Sequence, residues 1–306
     1  MNKLKIAVIG VGHLGKEHAR IYSQLPNVEL VGVIDRDSVR AGEIASLYKT
    51  FAYTDVDSII QKVDAASIVV PTDQHFEVTK KLISAGKHVL VEKPITSTLK
   101  EAKTLVSLAE KKRILLQVGH IERFNPIIQA VSKFVKNPRF IEIHRLSPFT
   151  PRGTEVSVVL DLMIHDIDII LALVKDKIKN IEAIGVNVLT KHEDIANARI
   201  AFKNGCVANL TASRVSAERM RKIRIFQANS YTSVDYYKQE GVSYYKEGQE
   251  ILRKFIEVGK DEPLKLELQD FVECVLKGKR PKVSGDDAFL ALQVAEKIKN
   301  KIKAVA

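Results

Sequence analysis

The chain has 306 residues, 45% of them hydrophobic and 28% charged, and its 48 basic against 37 acidic side chains give a net charge of +11. That length accommodates two domains of ordinary size, the composition excludes a disordered chain, and no apolar run approaches the roughly 18 to 20 residues of a membrane span. The basic residues are spread along helix faces, as at Lys297, Lys299, Lys301 and Lys303, which reads as a solvated surface and not as a nucleic-acid footprint.

Leu4 to Ile9 is an apolar run, within which Lys5 to Ile9, short, apolar and β-branched, reads as a buried parallel strand. It is too short for a secretory signal and runs directly into a glycine turn, so a cytoplasmic protein is expected. The turn is Gly10-Val11-Gly12-His13-Leu14-Gly15. In a dinucleotide-binding βαβ unit the first such glycine permits the turn, the second admits a pyrophosphate, and the third lets the new helix sit close to the strand. The helix N-terminus then offers unpaired amides and a partial positive charge to phosphate. Val28 to Ile34 is a second apolar strand, and Asp35 at its end is placed to accept hydrogen bonds from the adenosine ribose. Asp35 would repel a 2′-phosphate and Arg36 would attract one, and the balance favours NAD over NADP.

Strands and helices keep alternating to about residue 120, the pattern of a doubly wound α/β sheet. Ala65 to Val70 is a third strand leading into Pro71-Thr72-Asp73-Gln74-His75, and Phe76 to Ala85 reads as a helix stopped by Gly86. Val89 to Val91 delivers Glu92-Lys93-Pro94, followed by a helix over Thr98 to Lys112 and a strand over Ile114 to Val118. Lys93 lies on the side where open parallel sheets bind ligands, and its ammonium suits a developing alkoxide.

Beyond residue 120 the pattern changes. Ile127 to Val135 reads as a helix, Phe140 to Leu146 as a strand, and Val158 to Val174 as a strongly apolar helix. Six strand candidates follow: Ile181 to Leu189, Ala196 to Phe202, Val207 to Ser213, Arg221 to Gln227, Thr232 to Tyr236 and Val242 to Tyr245. Their alternation and short turns predict a large antiparallel sheet with one face covered, and helices over Leu264 to Leu276 and Ala288 to Ile302 close the chain. The domains are therefore expected at 1–120, a Rossmann domain, and 121–306, an α/β domain for substrate binding and oligomerisation, with the C-terminal helix a candidate to pack back on the first. A sheet with one open face usually covers it by self-association, so a homodimer or homotetramer is expected. Cys206 and Cys274 are far apart and form no metal-binding pattern, which reads as two buried free thiols.

Asp161 and His165, four apart in the apolar helix, share one face. The carboxylate could orient the imidazole of a general base, the two could begin a metal site, or they could form a self-satisfied structural pair.

The glycine fingerprint, Pro71-Thr72 with His75, Glu92-Lys93-Pro94, and Asp161 with His165, in that order over essentially the full length, resemble the Gfo/Idh/MocA oxidoreductases. The resemblance implies an N-terminal Rossmann domain, a C-terminal α/β domain with a large open, mainly antiparallel sheet, and metal-free NAD chemistry on a sugar alcohol. It also implies that Lys93, Asp161 and His165 form the active-site trio and that Thr72, His75 and Glu92 lie along the cofactor. Cofactor contacts are then expected at Gly10, Gly12, His13, Leu14, Gly15, Asp35, Arg36, Pro71, Thr72, His75, Glu92, Lys93 and Arg123. Substrate contacts are expected at Lys93, Arg152, Asp161, His165 and Arg214. Arg219 and Arg221 are further candidates for a substrate diphosphate, or equally solvated surface arginines.

Within the family, Gly119 to Pro126 and Arg152-Gly153-Thr154-Glu155 are most like members that oxidise the 3-hydroxyl of UDP-N-acetylglucosamine, supplying diamino sugars for lipid A. One departure is Val156-Ser157-Val158-Val159, where many members carry glycines. The competing functions are oxidation of an inositol or free hexose, and a nucleotide-sensing regulator that kept the fold without the catalysis. No nucleic-acid or membrane partner is expected.

Overall fold

The computed structural model describes residues 3–151 and 154–305. The chain divides into two compact units, Met1–Ile121 with Leu264–Leu290, and Glu122–Pro263 with Ala291–Ala306.

In the first unit, β1 (Leu4–Ile9), α1 (Gly15–Gln24), β2 (Val28–Ile34), α2 (Ser38–Tyr48), β3 (Phe51–Tyr53), α3 (Asp57–Ile60), β4 (Ala65–Ile68), α4 (Thr72–Ser84), β5 (His88–Glu92), α5 (Leu99–Lys112) and β6 (Leu116–Gly119) alternate. The six strands are parallel in the order β3-β2-β1-β4-β5-β6. This is the doubly wound order whose topological switch lies between β1 and β4. The central strands are almost wholly buried, which is why they read as apolar runs. Helix α4 begins at Thr72, four residues before the expected start at Phe76: Pro71 stands at its N-cap without a side-chain cap bond, and Asp73 in its first turn complements the helix dipole. Strand β3 and helix α3 were not expected: β3 is three largely exposed residues, and α3 is a single turn of four with only Ile59 and Ile60 buried.

The second unit opens with a 3₁₀ turn over Ile121–Phe124, followed by α6 (Pro126–Phe134) and β7 (Phe140–Leu146). The expected helix over Val158 to Val174 is two structures: a π-helical turn, Val159–Met163, and then α7 (Ile164–Val174). Seven strands follow, β8 (Ile178–Val186), β9 (Ile195–Phe202), β10 (Val207–Ser213), β11 (Met220–Phe226), β12 (Ser230–Asp235), β13 (Glu240–Glu247) and β14 (Glu250–Ile256). The chain ends with α8 (Pro263–Lys277) and α9 (Gly285–Val305). The eight-stranded sheet runs β14-β13-β12-β11-β7-β10-β9-β8, antiparallel except for the parallel central pair β7 and β10.

Side chains from α6, α7 and α9 pack on one face of this sheet, joining Ile141, Ile143, Ala198, Ile200, Leu210 and Ile223 in one core. On the other face the cross-strand neighbours Phe140, Phe226, Tyr231 and Tyr244 form an aromatic ladder with centroids 4.8 to 5.9 Å apart. Cys206 and Cys274 are free and buried, and burial pushes both thiols up to about 11. Among the described residues no helix is long and apolar enough to cross a membrane.

The β8–β9 connection is organised by one carboxylate. Asp194 accepts hydrogen bonds from the backbone N–H groups of Val188, Leu189 and Thr190 at 2.6 to 2.9 Å and from the Thr190 hydroxyl at 2.8 Å. Burial pushes its pKa up, but the bonds from Leu189, Thr190 and Val188 outweigh it and hold the carboxyl down at about 2. A depressed folded pKa contributes stability that is present above the unfolded value of 3.8 and lost as pH falls through about 2. Asp194→Asn is expected to cost about 2 kcal/mol at neutral pH, a loss that narrows as pH falls from about 4 to about 2. Unfolding midpoints measured across that window check it.

Candidate active site

A cavity of about 990 Å³ opens at the switch point of the first unit, lined by Gly10, Gly12, Asp35, Arg36, Val69 and Pro71 among others. Gly10 has φ +86° and a Cβ there would lie 2.6 Å from the Val69 carbonyl oxygen, so the turn requires glycine. A Cβ on Gly15 would fall 1.8 Å from the Gly10 carbonyl oxygen, which leaves no other residue for the start of α1. At Gly12 a Cβ would meet nothing within 4 Å, so the backbone faces open space on that side. His13 and Leu14 are exposed on the same turn.

Asp35 closes the other side. Its Oδ2 accepts from the Val11 N–H at 3.0 Å and its Oδ1 from the Asp37 N–H at 3.0 Å, with the Arg40 guanidinium 3.4 Å away. The carboxylate is thereby fixed at the end of β2, and Arg40, which sequence reasoning did not single out, joins Arg36 as a second cation at this wall. A tight glycine turn, a helix N-terminus, open space over Gly12 and an anchored acid together fit the pyrophosphate and ribose of a dinucleotide.

Lys93 follows the last residue of β5 and is partly exposed, and the Lys93-Pro94 peptide is cis. Its two companions from the sequence motifs turn inward. The His75 ring is 1% exposed, with Nδ1 2.8 Å from the Pro94 carbonyl oxygen and Nε2 2.9 Å from that of Val70. Burial pushes its pKa down, the two carbonyls pulling the other way. Glu92 is 8% exposed and its Oε1 lies 3.2 Å from Nε2 of His18. Thr72, partly buried, starts α4, and its carbonyl accepts from the Ser97 hydroxyl.

In the second unit Asp161 lies in the π turn and His165 in the first turn of α7, so the pair straddles a change of helical geometry where a uniform α-helix was expected. Helical widenings of this kind recur at functional sites. The segment is held at its N-terminal end. Ser157 Oγ accepts from the Val159 N–H at 3.2 Å, and the Ser157 carbonyl from the Leu160 and Asp161 N–H groups, so the serine of the unusual Val156-Ser157-Val158-Val159 run acts as a cap. Arg214, expected at the substrate, is 4% exposed and donates to the Val156 carbonyl at 2.7 Å. Arg123, expected at the cofactor, donates to Asp168 at 3.2 Å. Arg152 lies outside the described residues. Arg219 and Arg221 have their guanidinium carbons 5.7 and 5.8 Å from the ring centroid of exposed Tyr237.

Beneath His165 lies a buried polar cluster that sequence reasoning missed. Arg145 donates to both oxygens of Asp166 at 3.0 to 3.1 Å and to Glu122 at 3.1 Å. Tyr236 donates its hydroxyl to Asp166 at 2.8 Å, Asn125 bonds the Tyr236 carbonyl and Glu122, and Arg221 reaches Glu122 at 3.2 Å.

A doubly wound dinucleotide cradle, joined in one chain to an open sheet whose packed helix carries an aspartate and a histidine four residues apart, is the pattern of a nucleotide-dependent oxidoreductase. Residues 4–120 match an oxidoreductase family with an NAD-binding Rossmann fold, and residues 133–229 match the GFO/IDH/MocA C-terminal domain. The chain is 37% identical over 282 residues to the UDP-N-acetylglucosamine 3-dehydrogenase of Acidithiobacillus ferrooxidans, spanning 90% of each. A solved structure of that enzyme superposes with a TM-score of 0.95 over 99% of both chains at 36% identity. It is 27% identical over 313 residues to the myo-inositol 2-dehydrogenase of Thermotoga maritima, covering 94% of this chain and 93% of that one. The chain belongs to the Gfo/Idh/MocA family of NAD-binding oxidoreductases.

Proposed function

We propose that the protein oxidises the 3-hydroxyl of UDP-N-acetylglucosamine to a ketone with NAD as acceptor. The observation that carries this reading is the full-length likeness to the Acidithiobacillus enzyme, at 37% identity against 27% for the inositol dehydrogenase. Bound NAD supplies the hydride acceptor. Oxidation of a secondary alcohol removes a hydride from carbon and a proton from oxygen, so the protein must provide a base and a charge for the alkoxide. His165 is assigned as the base, and Asp161 either orients it or holds a neighbouring hydroxyl. The Lys93 ammonium stabilises the developing oxyanion. Arg219 and Arg221, grouped around Tyr237 and still partly exposed, are better placed than buried Arg214 to meet a diphosphate.

The test is a screen of UDP-N-acetylglucosamine, inositols and free hexoses with NAD and NADP, read by nicotinamide absorbance. Turnover is expected with the nucleotide sugar and NAD. Activity confined to unphosphorylated polyols would remove the substrate assignment, and a lower KM for NADP would remove the cofactor preference drawn from Asp35. We place the protein in the cytoplasm as a homodimer or homotetramer formed over the aromatic face of the eight-stranded sheet, which light scattering at micromolar concentration checks.

A further inference from the structure

We infer that His18 and His75 are positioning residues that clamp Lys93 through its two chain neighbours, an inference that rests on the role proposed for Lys93. Glu92 and Pro94 flank Lys93, and each is tied to a different buried histidine. On one side His75, from the first turn of α4, sits 2.8 Å from the Pro94 carbonyl oxygen and 2.9 Å from the Val70 carbonyl oxygen. One ring therefore joins the segment after Lys93 to the Val70-Pro71 edge of the nucleotide cavity.

On the other side His18, 0% exposed in α1, packs its Nε2 3.2 Å from Glu92 Oε1, an ion-pair distance without hydrogen-bond alignment, while Glu92 Oε2 accepts from the Lys93 backbone N–H at 3.3 Å. Gly119 makes room for this carboxylate: a Cβ there would lie 2.7 Å from it. The Glu92 carboxylate is thus wedged between α1 and β6 with one oxygen on the histidine and the other on the lysine's own amide. Helix α1 also begins at the glycine turn, so one rigid element registers both the dinucleotide cradle and the Lys93 backbone. Burying two imidazoles on the helices that flank the parallel sheet costs stability, which a role in placing Glu92 and Pro94 would offset. An error of about 1 Å in a reacting group can lower a rate about 100-fold, which is the scale such a clamp protects.

The experiment measures kcat and KM for His18→Ala, His75→Ala and His75→Gln, alone and combined with Lys93→Met, with NAD and the sugar that the unaltered enzyme oxidises. In the same proteins, acylation of Lys93 by a small amine-reactive ester is followed by mass spectrometry, with Lys111 as the surface reference. Each alanine variant is expected to lose about 10- to 100-fold in kcat with KM for NAD within about twofold. On the Lys93→Met background the same change should cost nothing more, because the histidines act through the lysine. His75→Gln, which keeps an N–H for one carbonyl, should recover most of the rate, and Lys93 should acylate several-fold faster in the alanine variants than in the parent. Additive losses on the Lys93→Met background, or a Lys93 labelling rate that does not move, would overturn the clamp. If an alanine variant does not fold, His75→Gln and His18→Gln carry the same comparison. Turnover that survives Lys93→Met would instead remove Lys93 from the mechanism, and the labelling rates still decide whether the histidines hold it.

Discussion

His165→Ala is expected to bind NAD with unchanged affinity and to lose about 10²- to 10⁴-fold in kcat, the ordinary worth of a positioned general base. The two parts of that expectation come from different units. The groups that fit the dinucleotide, Gly10, Gly12 and Asp35, belong to the first unit. The imidazole belongs to the second, 9% exposed at the point where the π turn gives way to α7. Met163, Ile164 and Ile167, its neighbours along the chain, are fully buried apolar residues, and alanine keeps the helix propensity of this turn. Turnover should collapse while the affinity for NAD holds. His165→Gln, which preserves size and polarity but takes no proton, should be as inactive as the alanine variant. Calorimetric titration with NAD and steady-state rates on the same preparations check both halves, and turnover within about tenfold of the parent would take His165 out of the role.

The parts of this fold that were legible in the sequence are those where one physical demand dominates. Central strands of a parallel sheet are buried on both faces, so β1, β2, β4 and β5 announced themselves as apolar runs, and the Gly10 to Gly15 turn as a spacing that backbone contact enforces. Strand β14 escaped because an edge strand with exposed Ile251 and Phe255 has no core-facing pattern to read. The π turn escaped because hydropathy periodicity cannot separate an i→i+5 turn from an α turn within five residues. For the proposed site, the motifs singled out Lys93, Asp161 and His165, but motif order does not say which way a side chain points. His75 and Glu92 were expected along the cofactor, and their atoms are engaged with Pro94, Val70 and His18 inside the unit. One missed signal was available. In β7 the alternation puts Ile141, Ile143 and Arg145 on the same face, so a charged residue was already assigned to the core and its carboxylate partner should have been sought.

Arg145→Met is expected to destabilise the protein by about 3–5 kcal/mol, because it strips the Asp166 carboxylate of its guanidinium and leaves Glu122 to Arg221 in the core of the second unit. Arg145 is 3% exposed and, among the described residues, is the guanidinium that bonds both Asp166 and Glu122, while Arg221 reaches Glu122 alone. Burial already pushes the Asp166 carboxyl above its ordinary value, with the Arg145 charge and then the Tyr236 hydroxyl opposing it. Without the guanidinium, burial is less opposed and Asp166 is driven to hold a proton in the folded state. The sign of the pH dependence follows. A folded pKa raised above the unfolded value means that the folded state binds the extra proton, so the variant's deficit shrinks toward pH 4 and grows as pH rises. Denaturant midpoints for the parent and Arg145→Met at several pH values check the slope as well as the size. Arg145→Met with Asp166→Asn should recover a large part of the loss, since the second change removes one stranded charge. Arg145→Lys should not, because a point charge cannot fork to both oxygens of Asp166 and also reach Glu122. A deficit under about 1 kcal/mol, flat with pH, would mean that solvent reaches these carboxylates once the guanidinium is gone. The cluster also bears on catalysis, since Asp166 is the residue after His165 and Arg145 anchors it to the central strand of the sheet. The folded fraction of Arg145→Met is therefore expected to turn over more slowly than the parent even where it is fully native.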